Sequence, residues 1–277
     1  MKPNLWIPPA NGQHFKNAAE KHNAIANEYE PQYNTLYWKL YDAITWDHMS
    51  NHILSSAKGK SLLDAGGGTG KWARKFAKNG FSVEVVDPAD NMRKVGQAKV
   101  QEENLSDKVH FQFGDIVNIP FEDEHFDAVI CQGNPVSYCS NPYKAISEIA
   151  RCAKKGAPVI ISVHNKLAMI QYFCFFMGKI TLEQAIDLSE TSKVVIDYPI
   201  KAFTPDELKQ QCELNGLKVV SLIGKQCISG FAQTPHYLSM LESEEGFEKV
   251  LNLEKTYWDD TSIIGLSGHL EVACVKI

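Results

Sequence analysis

From residue 60 onward, short apolar runs alternate with helical stretches, and this alternation narrows the possible folds more than any other feature of the 277-residue chain. "SLLDA" (61–65) reads as a first strand, and "KWARKFAKNG" (71–80) as a helix closed by Gly80. "FSVEVVD" (81–87) and "NMRKVGQAKVQEEN" (91–104) repeat the pair. "VHFQFGD" (109–115) and "FDAVICQG" (126–133) follow as strands, then the helix "PYKAISEIARCAKKG" (142–156) and the strand "APVIISVHN" (157–165). Strands joined by helices of this length form βαβ units with right-handed crossovers. "LKVVSLIG" (217–224) and "HLEVACVKI" (269–277) read as two further strands. The expected fold is an α/β, Rossmann-like sheet of seven mostly parallel strands with helices on both faces.

The flanks are organised differently. Residues 15 to 57 carry Ile25, Tyr29, Tyr33, Tyr37 and Leu40 at helical spacing, with Pro31 expected to split the pattern into two helices. Residues 166–202 are expected to be a helical insertion. "FTPDELKQQCELNG" then predicts a helix with Thr204 as N-cap, Pro205 at the first position and Glu207 completing a capping box. The segment before the last strand is too long for a hairpin and should carry a helix. The expected organisation is thus an N-terminal helical lid segment (1–57), a ligand-binding half of the core (58–165), the insertion as a lid (166–202) and the rest of the core (203–277).

Composition excludes several classes. A net charge of −5 argues against a general polyanion-binding surface. The seven cysteines form no CxxC pair and no zinc-type cluster, so they are expected to be free thiols, with no metal site. The first fifteen residues have no cationic start followed by an apolar stretch, and "LAMIQYFCFFMGKI" is too short to span a bilayer. A cytoplasmic protein with no membrane contact is expected, monomeric or homodimeric.

Four of the five residues 66–70 are glycine, directly after the first strand. Such a turn lets a ligand approach the backbone at a helix N-terminus. A P-loop would need glycine at Ala65 and Ser or Thr at Trp72, and the dinucleotide fingerprint would need glycine at Lys71. A third pattern remains. Asp64 closes the strand, Gly66, Gly68 and Gly70 alternate with Gly67 extra, and the second strand ends in Asp87. An acid there can accept both hydroxyls of a ribose.

This pattern resembles the D/E-x-G-x-G-x-G motif of class I S-adenosylmethionine-dependent methyltransferases, over about residues 55 to 277. The resemblance implies S-adenosyl-L-methionine as cofactor. Gly66 and Gly67 would lie along it, Asp87 on the ribose and Pro88 beside the adenine. Asp115 would face the adenine amino group with Ile116 next to it, and Gln132 would sit near the methionine end. "LLDAGGGTG", "AITWDHM", "SVHNKLAMI", "DYPIKAFTPDELKQQCELNG" and "LEKTYWDDTSIIGLSGHLEVACVKI" are also similar to bacterial tRNA methyltransferases that esterify wobble carboxymethoxyuridine. Where that group carries an arginine, a histidine and a lysine-rich segment, this chain has Tyr41, Gln132 and "DLSETSKVV", which favours a small acceptor over tRNA.

Open α/β sheets bind ligands at the carboxyl edge of the strands. That points to Asn134 and Tyr138 after the fourth strand and to His164 and Asn165 after the fifth. His164, with Tyr138, is the candidate base for an acceptor that must lose a proton; a carboxylate acceptor would need none. The alternative for His164 is a bond to loop backbone, and for Asn134 a role in loop shape. Tyr33 and Tyr37, beside Tyr29 and Trp38, either pack a lid on the core or touch substrate. His236 is either at the pocket mouth or a surface histidine. The functional expectation is methyl transfer to a small or medium-sized acceptor under a helical lid. The alternatives are wobble-uridine methylation and a non-catalytic, cofactor-binding partner subunit.

Overall fold

The computed structural model describes residues 15–57, 59–230 and 234–277. The strands are β1 (Ser61–Ala65), β2 (Ser82–Asp87), β3 (Val109–Phe113), β4 (Ala128–Cys131), β5 (Pro158–His164), β6 (Lys193–Val195), β7 (Pro199–Lys201), β8 (Leu217–Lys225) and β9 (His269–Lys276). Seven of them form one sheet in the order β3-β2-β1-β4-β5-β9-β8. The first five are parallel, and β9 inserts antiparallel between β5 and β8. The carboxyl ends of β1, β4, β5 and β8 and the start of β9 therefore share one edge. The expected seven-stranded, mostly parallel sheet is what forms.

The central strands are apolar runs because both faces are covered. On one face Leu63, Val129 and Ile161 pack with Ile146 and Ile149 of α7 (Pro142–Cys152) and Leu208 of α10 (Pro205–Leu214). On the other, Leu62, Val83 and Ile160 pack with Phe76 of α4 (Lys71–Lys78) and with Met49 and Ile53 of α3 (Leu36–Ile53). α5 (Asp90–Glu102) follows β2, and α6 (Pro135–Tyr138) is a single turn after β4.

The flanks depart from expectation in three places. The N-terminal segment, described from residue 15, holds α1 (Ala18–Ile25) and α2 (Tyr29–Gln32) before α3, and Pro31 lies within α2 rather than at a break. The first turn of a helix has no intrahelical use for the missing N–H, so proline is accommodated there. Residues 166–202 are only partly helical: α8 (Lys166–Met169), a π-helical turn (Ile170–Phe176) and α9 (Leu182–Thr191) lead into the β6–β7 hairpin. Thr204 does cap α10, but the Glu207 carboxylate accepts instead from Lys201 Nζ (2.5 Å) and the Tyr143 hydroxyl (2.9 Å). The connection before β9 carries α11 (Pro235–Met240) and α12 (Glu244–Tyr257). All seven cysteines are free. Among the described residues no helix is long and apolar enough to cross a membrane.

Candidate active site

At the end of β1 the chain turns through Gly66, Gly68 and Gly70, all at positive φ, where a side chain would be strained. Space forbids one as well: a Cβ on Gly67 would stand 2.5 Å from Asp64 Cγ, and one on Gly66 2.6 Å from Pro135. Asp64 lies fully buried beneath the loop, and burial pushes its carboxyl up to about 7. Asp87, at the tip of β2, accepts from the Gly68 N–H (2.9 Å) through one oxygen and from the Ala89 N–H (2.8 Å) through the other. Burial raises its carboxyl to about 6. Each oxygen keeps a further lone pair, so the residue can take two hydroxyls as a ribose acid must.

The N-terminal helices sit over this loop. Ala26 and Tyr29 pack with Ala89 and Met92, and the Asn23 side chain accepts from the Asn91 N–H (2.8 Å). Glu30 accepts from Thr69 Oγ1 (2.5 Å), Arg74 Nη2 (3.2 Å) and Lys99 Nζ (2.5 Å), which fastens α2 to the loop and to both flanking helices.

Beside the loop, at the same sheet edge, lies a cavity of about 230 Å³. Its wall joins the N-terminal helices (Tyr33, Trp38, Tyr41), the loop after β4 (Gln132, Asn134), the sheet edge (His164, His269) and the 166–202 segment (Tyr172, Tyr198). The Tyr138 hydroxyl is 2.6 Å from His164 Nε2. Burial and the Lys21 charge push His164 down to about 4, so its imidazole is neutral at pH 7. His269 faces it across the β5–β9 register, centroids 4.9 Å apart, and is likewise held well below its ordinary value by burial.

A buried charged chain supports the floor. Lys225 Nζ, at the end of β8, is 2.5 Å from Glu271 Oε2 and donates to Gln132 Oε1 (3.1 Å). Glu271 Oε1 is 2.7 Å from His48 Nδ1, and His48 Nε2 is 2.9 Å from Ser221 Oγ. Lysine can only donate, so the Gln132 amide is fixed with Oε1 toward it, and Nε2 has no partner among the described residues.

The structure thus brings together Tyr33, Tyr37, Gln132, Asn134, Tyr138 and His164 around one cavity. Asn134 is at positive φ, and its N–H donates to Ser162 Oγ (3.2 Å), so it shapes the loop as well as lining the cavity. Two expected contacts are not there. Asn165 is fully buried and donates to the carbonyls of Ile264, Gly265 and Ser267, so its amide is committed to holding the turn before β9. His236 is exposed on α11, away from the cavity wall. Pro88 is half-buried, Ile116 buried and Asp115 exposed, its Oδ1 accepting from the Val117 N–H (3.1 Å). Sequence reasoning missed Glu30, Tyr41, Lys225 and His269. For His269 a signal existed, since antiparallel pairing of the fifth and last strands sets 269 opposite 164.

Residues 62–156 match a family described as "Methyltransferase domain". A ubiquinone/menaquinone biosynthesis C-methyltransferase UbiE from Ectopseudomonas mendocina is 32% identical over 157 residues, covering 56% of this chain and 60% of that protein. A demethylmenaquinone methyltransferase from Porphyromonas gingivalis is 28% identical over 142 residues, covering 50% and 57%. The chain thus spans under two thirds of the length of these curated relatives. Among solved structures, geranyl diphosphate C-methyltransferase from Streptomyces coelicolor superposes with a TM-score of 0.58 at 15% identity, covering 90% of this chain and 81% of that one. A complex of the Haloferax volcanii Trm112 methyltransferase activator with a methyltransferase gives 0.57 at 16% identity, covering 94% and 98%. The chain has the Rossmann-like methyltransferase fold, and the stretch that carries its glycine loop matches the methyltransferase-domain family.

Proposed function

We propose that the chain is an S-adenosylmethionine-dependent methyltransferase acting on a small acceptor held in the aromatic cavity. One observation carries the reading. The glycine loop, clasped by Asp87 through the Gly68 N–H, opens at the same sheet edge as the cavity, whose wall includes Gln132 and Asn134 from the loop after β4. The residues fit the cofactor. The loop has no room for side chains, Asp87 keeps lone pairs for two ribose hydroxyls, and the Gln132 Nε2 lacks a partner among the described residues. When bound, the cofactor supplies the electrophilic methyl group.

The chain's own residues position and deprotonate the acceptor. The rings exclude water and hold the nucleophile in line. An acceptor that must lose its proton passes it through the Tyr138 hydroxyl to His164 Nε2, whose lone pair is open because the imidazole is neutral, although burial makes it a weak base that holds the proton only briefly. A buried imidazolium is disfavoured, so the proton leaves to solvent with the product. The N-terminal helices and residues 166–202 serve as the lid. The cavity's small volume, about 230 Å³, and the curated relatives named for quinone methylation support a small molecule over a tRNA base.

Calorimetric titration with S-adenosylmethionine and S-adenosylhomocysteine tests the reading. Micromolar binding is expected for wild type, weakened at least about tenfold in Asp87→Ala, a loss of about 1.4 kcal/mol or more. No binding by the wild type would remove it.

A further inference from the structure

The rings around the cavity form a closed circuit. Tyr29 meets Tyr33 (5.0 Å between centroids), Tyr33 meets Trp38 (4.8 Å), Trp38 meets Tyr41 (5.3 Å), and Tyr41 meets His269 (5.3 Å). His269 meets His164 (4.9 Å), His164 meets Tyr138 (5.3 Å), and His22 closes the loop to Tyr138 (6.3 Å) and Tyr29 (5.6 Å). The members come from α1, α2 and the turn that follows it, α3, α6, β5 and β9, so the circuit exists only when the N-terminal helices lie against the sheet edge.

A box of aromatic rings often holds a cation. Here the protein's own ammonium groups already lie over the ring faces: Lys21 Nζ is 5.1 Å from the Tyr198 centroid, and Lys225 Nζ is 4.7 Å from that of Tyr41. A cationic ligand would meet those charges at close range. An anionic ligand fares no better, because the ionic groups of the wall are paired within the protein. Lys21 is 2.9 Å from Asp197, Lys71 pairs with Asp42, and Glu30 holds Arg74 and Lys99. The two histidines of the sheet edge are neutral at pH 7, and burial keeps the Tyr41 and Tyr138 hydroxyls protonated. A charge brought into this wall loses its hydration and, among the described residues, finds no unpaired opposite charge to offset that loss. What the wall offers is ring surface and a few neutral hydrogen-bonding groups, chiefly the Tyr138–His164 pair.

We propose that the ring circuit is the acceptor site for an uncharged, planar aromatic compound bearing a hydroxyl group, of the phenol or naphthol class. The cavity is smaller than the ~300–1,000 Å³ usual for drug-sized ligands, which suits one or two fused rings. Offset and edge-to-face contacts with the circuit orient the plane, and the hydroxyl meets Tyr138. The inference rests on the methyltransferase reading, which makes the cavity an acceptor site.

The test is calorimetric titration of the whole chain, saturated with S-adenosylhomocysteine, against 2-naphthol, 2-naphthoate and (2-naphthyl)trimethylammonium. These probes share a ring system and differ in charge. Naphthol is expected to bind at least about tenfold more tightly than either charged probe. Tyr33→Ala should weaken naphthol at least about tenfold, with Tyr33→Phe restoring it and S-adenosylhomocysteine affinity within about twofold of wild type in both. Equal or tighter binding of the ammonium probe would overturn the proposal in favour of a cation box, and tighter binding of naphthoate would overturn it by revealing an available cation. S-adenosylhomocysteine binding with no naphthol binding would overturn the acceptor class and leave the methyltransferase reading standing. Naphthol binding without any binding of S-adenosylhomocysteine would uphold the ligand class and remove that reading.

Discussion

The Glu30 carboxylate stands 3.2 Å from the Arg74 guanidinium, and this pair, with Lys99 at 2.5 Å, joins the N-terminal helices to the two helices that flank the glycine loop. The side chains of Glu30 and Arg74 are only 19% and 10% exposed, so solvent screens the contact weakly.

Glu30→Ala is therefore expected to loosen the cap. Thr69, Arg74 and Lys99 lose their shared acceptor, and among the described residues Arg74 keeps Glu103 and the Thr69 carbonyl. A partly buried cluster of this kind is worth about 1–3 kcal/mol. Hydrogen exchange over residues 18–35 should quicken more than tenfold while the β1–β5 amides stay protected. Unchanged exchange there would mean that Ala26, Tyr29 and Met92 hold the cap without the ion pair.

Two glycines separate the reasons for glycine. Gly67→Ala would drive a methyl group to 2.5 Å from Asp64 Cγ and 2.8 Å from Val85 Cγ1, inside a buried strand end. Overpacking there should cost about 1–3 kcal/mol or more and abolish cofactor binding. Gly80→Ala meets nothing within 4 Å among the described residues, yet its φ of +89° is one that alanine resists, so only about 1 kcal/mol should be lost. Urea melts of both variants check the ranking, and equal losses would contradict it.

The Lys225–Glu271 pair predicts a non-additive result. Both side chains are fully buried, and Lys225→Met leaves the Glu271 carboxylate with His48 as its one side-chain partner among the described residues. Breaking one side of such a pair costs about 3–5 kcal/mol, whereas removing both charges is often near neutral. The double variant Lys225→Met/Glu271→Gln should therefore recover most of the single variant's loss in chemical denaturation. Simple addition of the two losses would show that the pair is not coupled.

What was legible in the sequence follows from the range of the forces involved. The alternation of β1 to β5 with helices is local patterning, and Asp64, Gly66–Gly68 and Asp87 are tied to strand ends, so their placement travels with the pattern. The cavity wall is not local. Tyr41 meets His269 across 228 residues of chain (269 − 41), and Lys225 meets Gln132 across 93, contacts that no periodicity announces. Asn165 and His236 show the converse. Both are polar residues in suggestive positions, but one is consumed by three backbone carbonyls and the other faces solvent. The hairpin after α9 was missed because strands of three residues carry too short a pattern to tell from loop.

His164 and Asp64 should pull stability in opposite directions with pH. The His164 imidazole is lowered from 6.5 to about 4, so its contribution is fully present above pH 6.5 and is lost as pH falls toward 4, where only the unfolded chain is protonated. Asp64 is raised from 3.8 to about 7, so its contribution is present below pH 3.8 and is lost as pH rises through 7, where the folded protein must hold a buried carboxylate. At about 1.4 kcal/mol per pKa unit, each effect amounts to a few kcal/mol at most. Asp64→Asn should then be more stable than wild type at pH 8, with the advantage fading toward pH 4. His164→Gln should show the reverse, gaining on wild type as the solution is acidified from pH 7 to 4.5. Urea denaturation at pH 4.5, 6 and 8 gives both slopes. Parallel curves for wild type and Asp64→Asn would mean that the carboxyl under Gly67 is solvated well enough to titrate as it does in the unfolded chain.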